Sequence, residues 1–180
     1  VSSVAITNVV GAQNSFVNAG DNVSVTVTFS ESPISAVIVD NTSAATLTLV
    51  VGSDNRTATY DSGSNIAPSG NDNASLVFEY TIQATGTSGE NDSNGISIPQ
   101  HALDNNSSTI RDVALNYANL AHSAVGDNDE YIVDTTPPTV SSVAINSATN
   151  KQYSFVNADD VVEMKVTFSE PPISAVIVDN

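Results

Sequence analysis

Hydrophobic and polar residues alternate along much of the chain. In residues 22–30, valine or phenylalanine occupies every second position, and serine or threonine fills the positions between them. This period of two is typical of a β-strand with one buried and one solvent-facing side. The same pattern predicts strands at 46–51, 56–60 and 75–82. The side chains expected to face a common core are Val23, Val25, Val27, Phe29, Leu47, Leu49, Val51, Ala58, Tyr60, Leu76, Phe78, Tyr80 and Ile82.

Shorter apolar segments, several of them separated by clusters of Gly, Ser, Asn and Asp, predict further strands. These segments are 4–7, 34–39, 96–98, 108–111, 118–121 and 131–133. No stretch shows the 3.6-residue period of an amphipathic helix. Short strands joined by turns predict an all-β fold, and specifically an immunoglobulin-like antiparallel β-sandwich.

The beginning of the chain recurs near its end. Residues 1–41 align without a gap on residues 140–180, at an offset of 139, and 28 of the 41 positions are identical. A unit of this length exceeds the roughly 20–50 residues of a solenoid repeat, so each copy should be a self-contained domain. The sequence therefore predicts tandem β-sandwich repeats of 139 residues.

The boundary between repeats is predicted at 133–139, where Pro137 and Pro138 fix φ and remove two backbone donors. Residues 1–139 are then one complete domain, and 140–180 are the N-terminal part of the next. About 40 residues rarely bury enough apolar surface to fold alone. Neighbouring repeats of the same chain are the expected partners, and near-identity also allows a strand-swapped, homotypic contact in which 140–180 replaces residues 1–41 of another copy.

Charge and composition argue against several classes of partner and of binding site. The chain has 20 acidic and 4 basic residues and a formal net charge of −16, so nucleic acid and anionic membranes are not expected partners. The lack of cysteine excludes a disulfide framework and a zinc–thiolate site. No apolar run reaches the ~20 residues of a membrane helix. The first residues lack signal-peptide features, and we expect a soluble part of a longer protein.

Catalytic motifs are missing from the sequence. It contains no G-x-S-x-G, no H-E-x-x-H and no phosphate-binding loop. His101 and His122 have no evident partner in the sequence and are expected to be surface or edge residues. We therefore expect a protein that is not an enzyme.

Acidic and amide side chains instead suggest calcium, which binds six to eight oxygen ligands. Glu90, Asp92, Asn94 and Gly95 occupy positions 1, 3, 5 and 6 of a calcium-loop pattern. His101 stands where the bidentate glutamate of an EF-hand belongs. The segment is thus not an EF-hand, and calcium ligation and an ordinary acidic loop both remain open for it.

A second acidic group lies beside the linker. Asp127, Asp129, Glu130 and Asp134 place four carboxylates within eight residues. Their mutual repulsion favours a bound cation over a solvated loop. The predicted site is a calcium site at the junction between repeats.

Two further carboxylates are candidates for the same junction. Glu31 follows the strand at 22–30, and Glu170 is its equivalent in the next copy. If strands alternate in direction, this loop lies at the N-terminal end of each domain, where Glu170 would face the linker carrying Asp134. One ion shared across the linker would remove hinge freedom.

Asp112 is a last candidate ligand. It follows a short predicted strand and lies near Asn116 and Asn119. Asp and Asn also stabilise turns by bonding to nearby backbone, and turn formation is the preferred interpretation here.

Several strings together resemble the immunoglobulin-like tandem repeats of large RTX-type, biofilm-associated bacterial adhesins. They are VNAGDNVSVTVTFSE, LVFEYTIQ, NGISI, NLAHSAV and YIVDTTPPTV, and the resemblance spans nearly the whole chain. It implies a secreted protein, exported by type I secretion and tethered at the bacterial cell surface, whose repeats are rigidified by calcium. The loop 87–95 and the segment 113–116 depart from the usual family pattern.

The expected function is that of a structural extender in such an adhesin. The alternative is a module that binds carbohydrate or protein, or that associates with itself. Carbohydrate sites usually need exposed aromatic platforms, and this chain has no Trp and only ten aromatic residues, several of which belong to the predicted core. A nearly identical second copy also favours an extender over a unique binding site.

Overall fold

The computed structural model describes residues 1–30, 38–40, 45–62, 75–84, 90–112 and 114–169. These ranges contain no α-helix, and therefore no helix long and apolar enough to cross a membrane. Glu31, Glu170 and most of the predicted strand 34–39 lie outside them. The strands within these ranges are β1 (Ser3–Val10), β2 (Phe16–Val17), β3 (Asn22–Thr28), β4 (Ile38–Asp40), β5 (Thr46–Val51), β6 (Asp54–Tyr60), β7 (Ser75–Thr81), β8 (Asn91–Asp92), β9 (Leu103–Asp104), β10 (Thr109–Arg111), β11 (Ile132–Asp134), β12 (Thr139–Ala148) and β13 (Val162–Ser169).

Six strands form the principal sheet, in the order β1-β3-β7-β6-β5-β9. Every neighbouring pair in it is antiparallel. β3 lies between β1 and β7, with Val25 opposite Ile6 on one side and opposite Phe78 on the other. The strand that alternates most regularly in sequence is thus paired along both edges.

Two smaller sheets complete the first part of the chain. β10 pairs with β4, and β11 lies between β2 and β8. Val17, Ile110 and Val133 from these sheets are buried in the same core as the valines of β3. The all-β architecture is confirmed. The sheets are antiparallel except for the parallel pair β2–β11, and their shared core is consistent with a β-sandwich.

The four main strands predicted from alternation are confirmed to within two residues at each end. All of the inward-facing side chains listed for them are buried except Tyr80, which is half-buried and packs against the core. The prediction of a strand at 118–121 is wrong, because those residues form no ladder. Of 96–98, only Ser97 and Ile98 make isolated bridges, to Val50 and Val125.

The chain divides into two compact units, 1–135 and 136–180. The described part of the second unit is an antiparallel hairpin of β12 and β13. Its register reproduces that of β1 and β3: Val143 faces Val166 as Val4 faces Val27, with the same irregularity after Ile145 as after Ile6.

The turn segments of the two hairpins also match. The backbone N–H of Asn18 donates to Asp21 Oδ2 over 2.7 Å, and that of Asn157 donates to Asp160 Oδ2 over the same distance. A bridge joins Gln13 to Phe16, and another joins their equivalents 139 positions later. The sequence repeat is therefore accompanied by a repeated local structure.

Candidate metal site at the acidic loops

The two acidic segments singled out in the sequence lie side by side. β8 and β11 are antiparallel neighbours, with Asp92 opposite Val133 and Asn91 opposite Asp134. The backbone N–H of Thr135 donates to Asn91 Oδ1 over 3.0 Å. The Glu90–Gly95 loop and the junction acids are thus brought to one place.

The Asp92 carboxylate is buried and is bonded by backbone amides. Oδ2 accepts from the N–H of Gly52 at 2.8 Å, and Oδ1 accepts from those of Asn94 and Gly95 at 3.1 Å each. Hydrogen bonds to an ionised carboxylate are among the stronger ones in proteins. Asp92 therefore ties the β5–β6 turn to the loop after β8, while the Asn94 side chain is exposed.

Gly95 sets the distance between the two acidic segments. Its φ is +90°, and a Cβ there would lie 1.8 Å from the backbone oxygen of Asn128. Both features require glycine. The loop after β8 thus packs directly against the turn that carries the junction acids.

That turn is held by Asn128. Its carbonyl accepts from Tyr131 N at 3.0 Å, and its side-chain Oδ1 accepts from Glu130 N at 3.1 Å. Asp127, Asp129 and Glu130 are exposed, and Asp134 is half-buried in β11. We call Asp127, Asp129, Glu130 and Asp134 the acidic junction.

The acidic junction is not a preformed ligand cage. Among the described residues, no three His, Asp or Glu side chains are grouped closely enough to hold an ion. Glu31 and Glu170, the other candidates for this end of the domain, lie outside the described residues. Cation binding here would draw on exposed carboxylates that reorient.

Glu90, the first residue of the calcium-loop pattern, lies in the interior. Its side chain has no solvent exposure and forms an ion pair with Arg56 Nε. Oε1 also accepts from the hydroxyl of Tyr80 at 2.5 Å, and Oε2 accepts from the N–H of Gln83 at 2.8 Å. This buried network links β6, β7 and the segment that precedes β8.

The network changes the acidity of Tyr80. Burial, the hydrogen bond to Glu90 and the negative charge of Glu90 all raise the pKa of the Tyr80 hydroxyl well above its ordinary value. Burial, with the charge of Asp61 as a smaller cause, also raises the pKa of Tyr60. Both phenols therefore resist ionisation in the folded chain.

Asp112 is part of a turn. Its Oδ1 accepts from Asn116 N and its Oδ2 from Asn116 Nδ2, both at 2.8 Å. The side-chain hydrogen bond from Asn116, followed by the backbone one, lowers the pKa of Asp112. Both carboxylate oxygens are engaged by this local contact.

His122 has a structural role that its sequence context does not reveal. Its Nε2 accepts from the N–H of Ala102 at 2.9 Å and of Leu103 at 3.3 Å. Nδ1 lies 2.8 Å from the carbonyl oxygen of Ser123, to which it donates. The ring thereby attaches the strandless segment after Ala118 to the start of β9. The sequence around His122 contains no signal from which its hydrogen bonds to Ala102 and Leu103 could be predicted.

Comparisons with known proteins give no relative for this chain: no protein-family model, no curated protein and no solved structure matches it.

Replacing Gly95 by alanine should destabilise the first unit by at least about 2 kcal/mol, because the added Cβ meets Asn128 and the backbone is strained. Gly126→Ala is the matched control, since a Cβ at Gly126 meets nothing within 4 Å. Its effect should stay within about 0.5 kcal/mol. Urea unfolding followed by circular dichroism measures both. Equal effects of the two substitutions would contradict the close packing described here.

Glu90→Gln should cost roughly 3 kcal/mol of unfolding free energy, because it removes the buried counter-charge of the partly buried Arg56 guanidinium and leaves only the exposed Asp54. Asp54→Asn removes the other, exposed partner of Arg56 and should cost no more than about 1 kcal/mol. Chemical denaturation of the three proteins at neutral pH gives the comparison. A Glu90→Gln variant as stable as Asp54→Asn would show that the buried pair has no stabilising role.

Alkaline pH should destabilise the chain through its buried tyrosines. Folding raises the pKa of Tyr80 above its ordinary value of 10.0. Below pH 10 the hydroxyl is protonated in both states, and the free energy of unfolding is unaffected. Above pH 10 the unfolded state ionises first, so the free energy of unfolding falls as the pH rises. Tyr80→Phe should therefore flatten the decline of stability above pH 10, whereas Tyr117→Phe, at a residue 77% exposed, should leave it unchanged. Unfolding free energies measured from pH 8 to pH 11 test this. Identical slopes for all three proteins would refute it.

Proposed function

We propose that the chain is an extender segment of a secreted, surface-tethered adhesin, built from tandem immunoglobulin-like repeats. The observation that carries this proposal is the second hairpin. β12 and β13 repeat the register of β1 and β3 at the sequence offset of 139. A molecule that repeats one domain gains length and not a new binding site.

The short connection between the two units supports a spacer. Thr135 N is bonded to Asn91, and Pro137 and Pro138 follow almost at once. Prolines at these positions restrict φ and extend the residues before them. The linker itself therefore has few freely rotating backbone bonds.

Calcium is the cofactor we propose, with the acidic junction as its site. Three of the four carboxylates are exposed at the end of the domain from which the linker departs. Oxygen ligands of this type suit calcium. Glu170, in the second copy, remains a further candidate ligand suggested by the sequence alone.

The other candidate ligands support this choice by their contacts. Glu90, Asp92 and Asp112 already accept hydrogen bonds from protein donors. A cation at any of them would have to share the carboxylate with those donors. We therefore prefer the exposed carboxylates of Asp127, Asp129 and Glu130, close in sequence to Asp134, for the proposed ion.

Calcium should raise the melting temperature of the metal-stripped chain by several degrees, since an ion bound only by the native state adds about 2.7 kcal/mol at one hundred times its Kd. Magnesium at the same concentration should have a much smaller effect. The double variant Asp127→Asn/Asp129→Asn should lose the calcium-dependent shift, and Asp54→Asn, an exposed acid elsewhere, should keep it. Differential scanning calorimetry with and without millimolar calcium provides the measurement.

A shift that survives the double variant would place the ion elsewhere. The absence of any calcium-selective shift would refute the calcium part of the proposal and leave only a solvated acidic spacer.

A further inference from the structure

The loop after β8 contains a chemically reactive pair of residues. Asn94 is followed directly by Gly95, and no other asparagine of the sequence precedes a glycine. The backbone nitrogen after an asparagine can attack the side-chain amide carbon, and glycine favours this attack because it has no Cβ to obstruct it. The Asn94 side chain is exposed, whereas Gly95 is buried. The electrophile of this reaction thus faces water, and its nucleophile lies inside the fold.

The reaction consumes water and no other reagent. A bond forms between Gly95 N and Asn94 Cγ, the bond from Cγ to Nδ2 breaks, and Nδ2 leaves as ammonia with the proton that Gly95 N gives up. Water then opens the resulting five-membered succinimide ring. Opening at Cγ leaves an aspartate at position 94, whereas opening at the main-chain carbonyl carbon leaves an isoaspartate. In both products one neutral amide has become a carboxylate.

Asp92 restrains the nucleophile of this reaction. The N–H of Gly95 donates to Asp92 Oδ1 over 3.1 Å, and the N–H of Asn94 donates to the same oxygen. The attack requires Gly95 N to lose its proton. A carboxylate that accepts a hydrogen bond from this N–H stabilises the protonated amide and repels the anion. Asp92 is only 7% exposed, so the closed loop holds Gly95 N in its unreactive form.

The turn at Asn128 restrains the same peptide group by contact. A Cβ on Gly95 would lie 1.8 Å from the backbone oxygen of Asn128 and 3.0 Å from the backbone nitrogen of Asp129. Ring closure moves Gly95 N toward Asn94 Cγ, and the backbone after it has to follow. The close packing of Gly95 against the turn opposes that movement.

We propose that Asn94 and Gly95 form a concealed deamidation site, which reacts only when the loop after β8 opens. Opening breaks the hydrogen bond from Gly95 to Asp92 and separates Gly95 from Asn128. The rate in the folded chain then follows the fraction of molecules in which the loop is open. This inference does not depend on calcium or on the spacer role proposed above.

The isoaspartate product does not fit the closed loop. It carries the main chain through Cβ and Cγ of residue 94 and so adds one atom to the backbone between Asp92 and Gly95. Gly95 has no room for the shift, because it already lies against Asn128. The new carboxylate also lies two residues from Asp92, and like charges at short range repel. Deamidation therefore makes an opening of the loop permanent and releases the turn that carries the acidic junction.

The test measures the conversion of Asn94 in the folded chain and in the same chain unfolded by urea, at one mildly alkaline pH and one temperature. Peptide mapping by mass spectrometry detects the exchange of ammonia for water, and labelling by an isoaspartate-specific methyltransferase detects the isoaspartate. The folded chain should convert more slowly than the unfolded one by about tenfold or more. Asn94→Gln should abolish the conversion in both states, which identifies the position.

Two variants test the two restraints separately. Asp92→Asn should raise the rate in the folded chain by about fivefold or more, because it removes the charge beside Gly95 N. Asn128→Ala removes the side chain that bonds Glu130 N and should raise the rate by about two- to fivefold through a looser turn. Asp104→Asn is the matched control, since Asp104 Oδ1 accepts from Asn106 N in another turn, and it should leave the rate unchanged. Amide exchange in β3 checks that each variant is folded.

The permanence of the change has its own measurement. Chain that has acquired isoaspartate in urea is returned to native buffer, and its melting temperature should be lower than that of unmodified chain by several degrees. Three results would overturn the proposal. They are equal conversion rates in the folded and unfolded chains, unchanged rates in both variants while β3 stays protected, and an isoaspartate chain that regains the unmodified melting temperature.

Discussion

The covering of one apolar strand face governs this molecule. β3 presents three fully buried valines and is hydrogen-bonded along both edges, to β1 and to β7. A two-stranded ribbon bearing such a face is at best marginally stable, whereas three or more strands packed on a second layer are stable. The residues of 45–134 provide that third strand and that layer for β3. β13 carries the same alternation and the same first partner, so its requirements for a neighbour and a cover are also the same.

Buried carboxylates hold the loops around this core. Glu90 joins Arg56, Tyr80 and the backbone of Gln83, while Asp92 accepts three backbone amides. Each carboxylate is taken from water, and that cost is offset only because its oxygens meet donors and, for Glu90, an opposite charge. In a chain without disulfides, these contacts connect the principal sheet and its β5–β6 turn to the segment around β8, which belongs to a different sheet. The loop after β8 and the turn at Asn128 therefore have fixed positions relative to the main sheet.

Alternation in the sequence predicts those parts of the fold in which burial is periodic. β3, β5, β6 and β7 follow from it together with their inward side chains, because each strand has one wet face. It does not predict β2, β8 and β9, since a two-residue strand has no period. The prediction of a strand at 118–121 is wrong, because its apolar residues alternate without forming a ladder. The backbone N–H of Ala118 donates to the carbonyl of Ile110, and His122, directly after the segment, accepts from the N–H of Ala102.

The same limit applies to the candidate site. The sequence groups Glu90, Asp92 and Asn94 by their spacing, but spacing does not reveal whether a carboxylate meets a protein donor or solvent. Glu90 is paired with Arg56, which lies on β6, and Asp92 accepts hydrogen bonds from the amides of Gly52, Asn94 and Gly95. A cation relieves repulsion where several carboxylates lie close together without an opposite charge. This separates the buried acids, which stabilise the domain itself, from the exposed acids at Asp127, Asp129 and Glu130, whose repulsion is concentrated beside the linker. Neutralising that repulsion would act beside the linker and leave the core of the first unit unchanged.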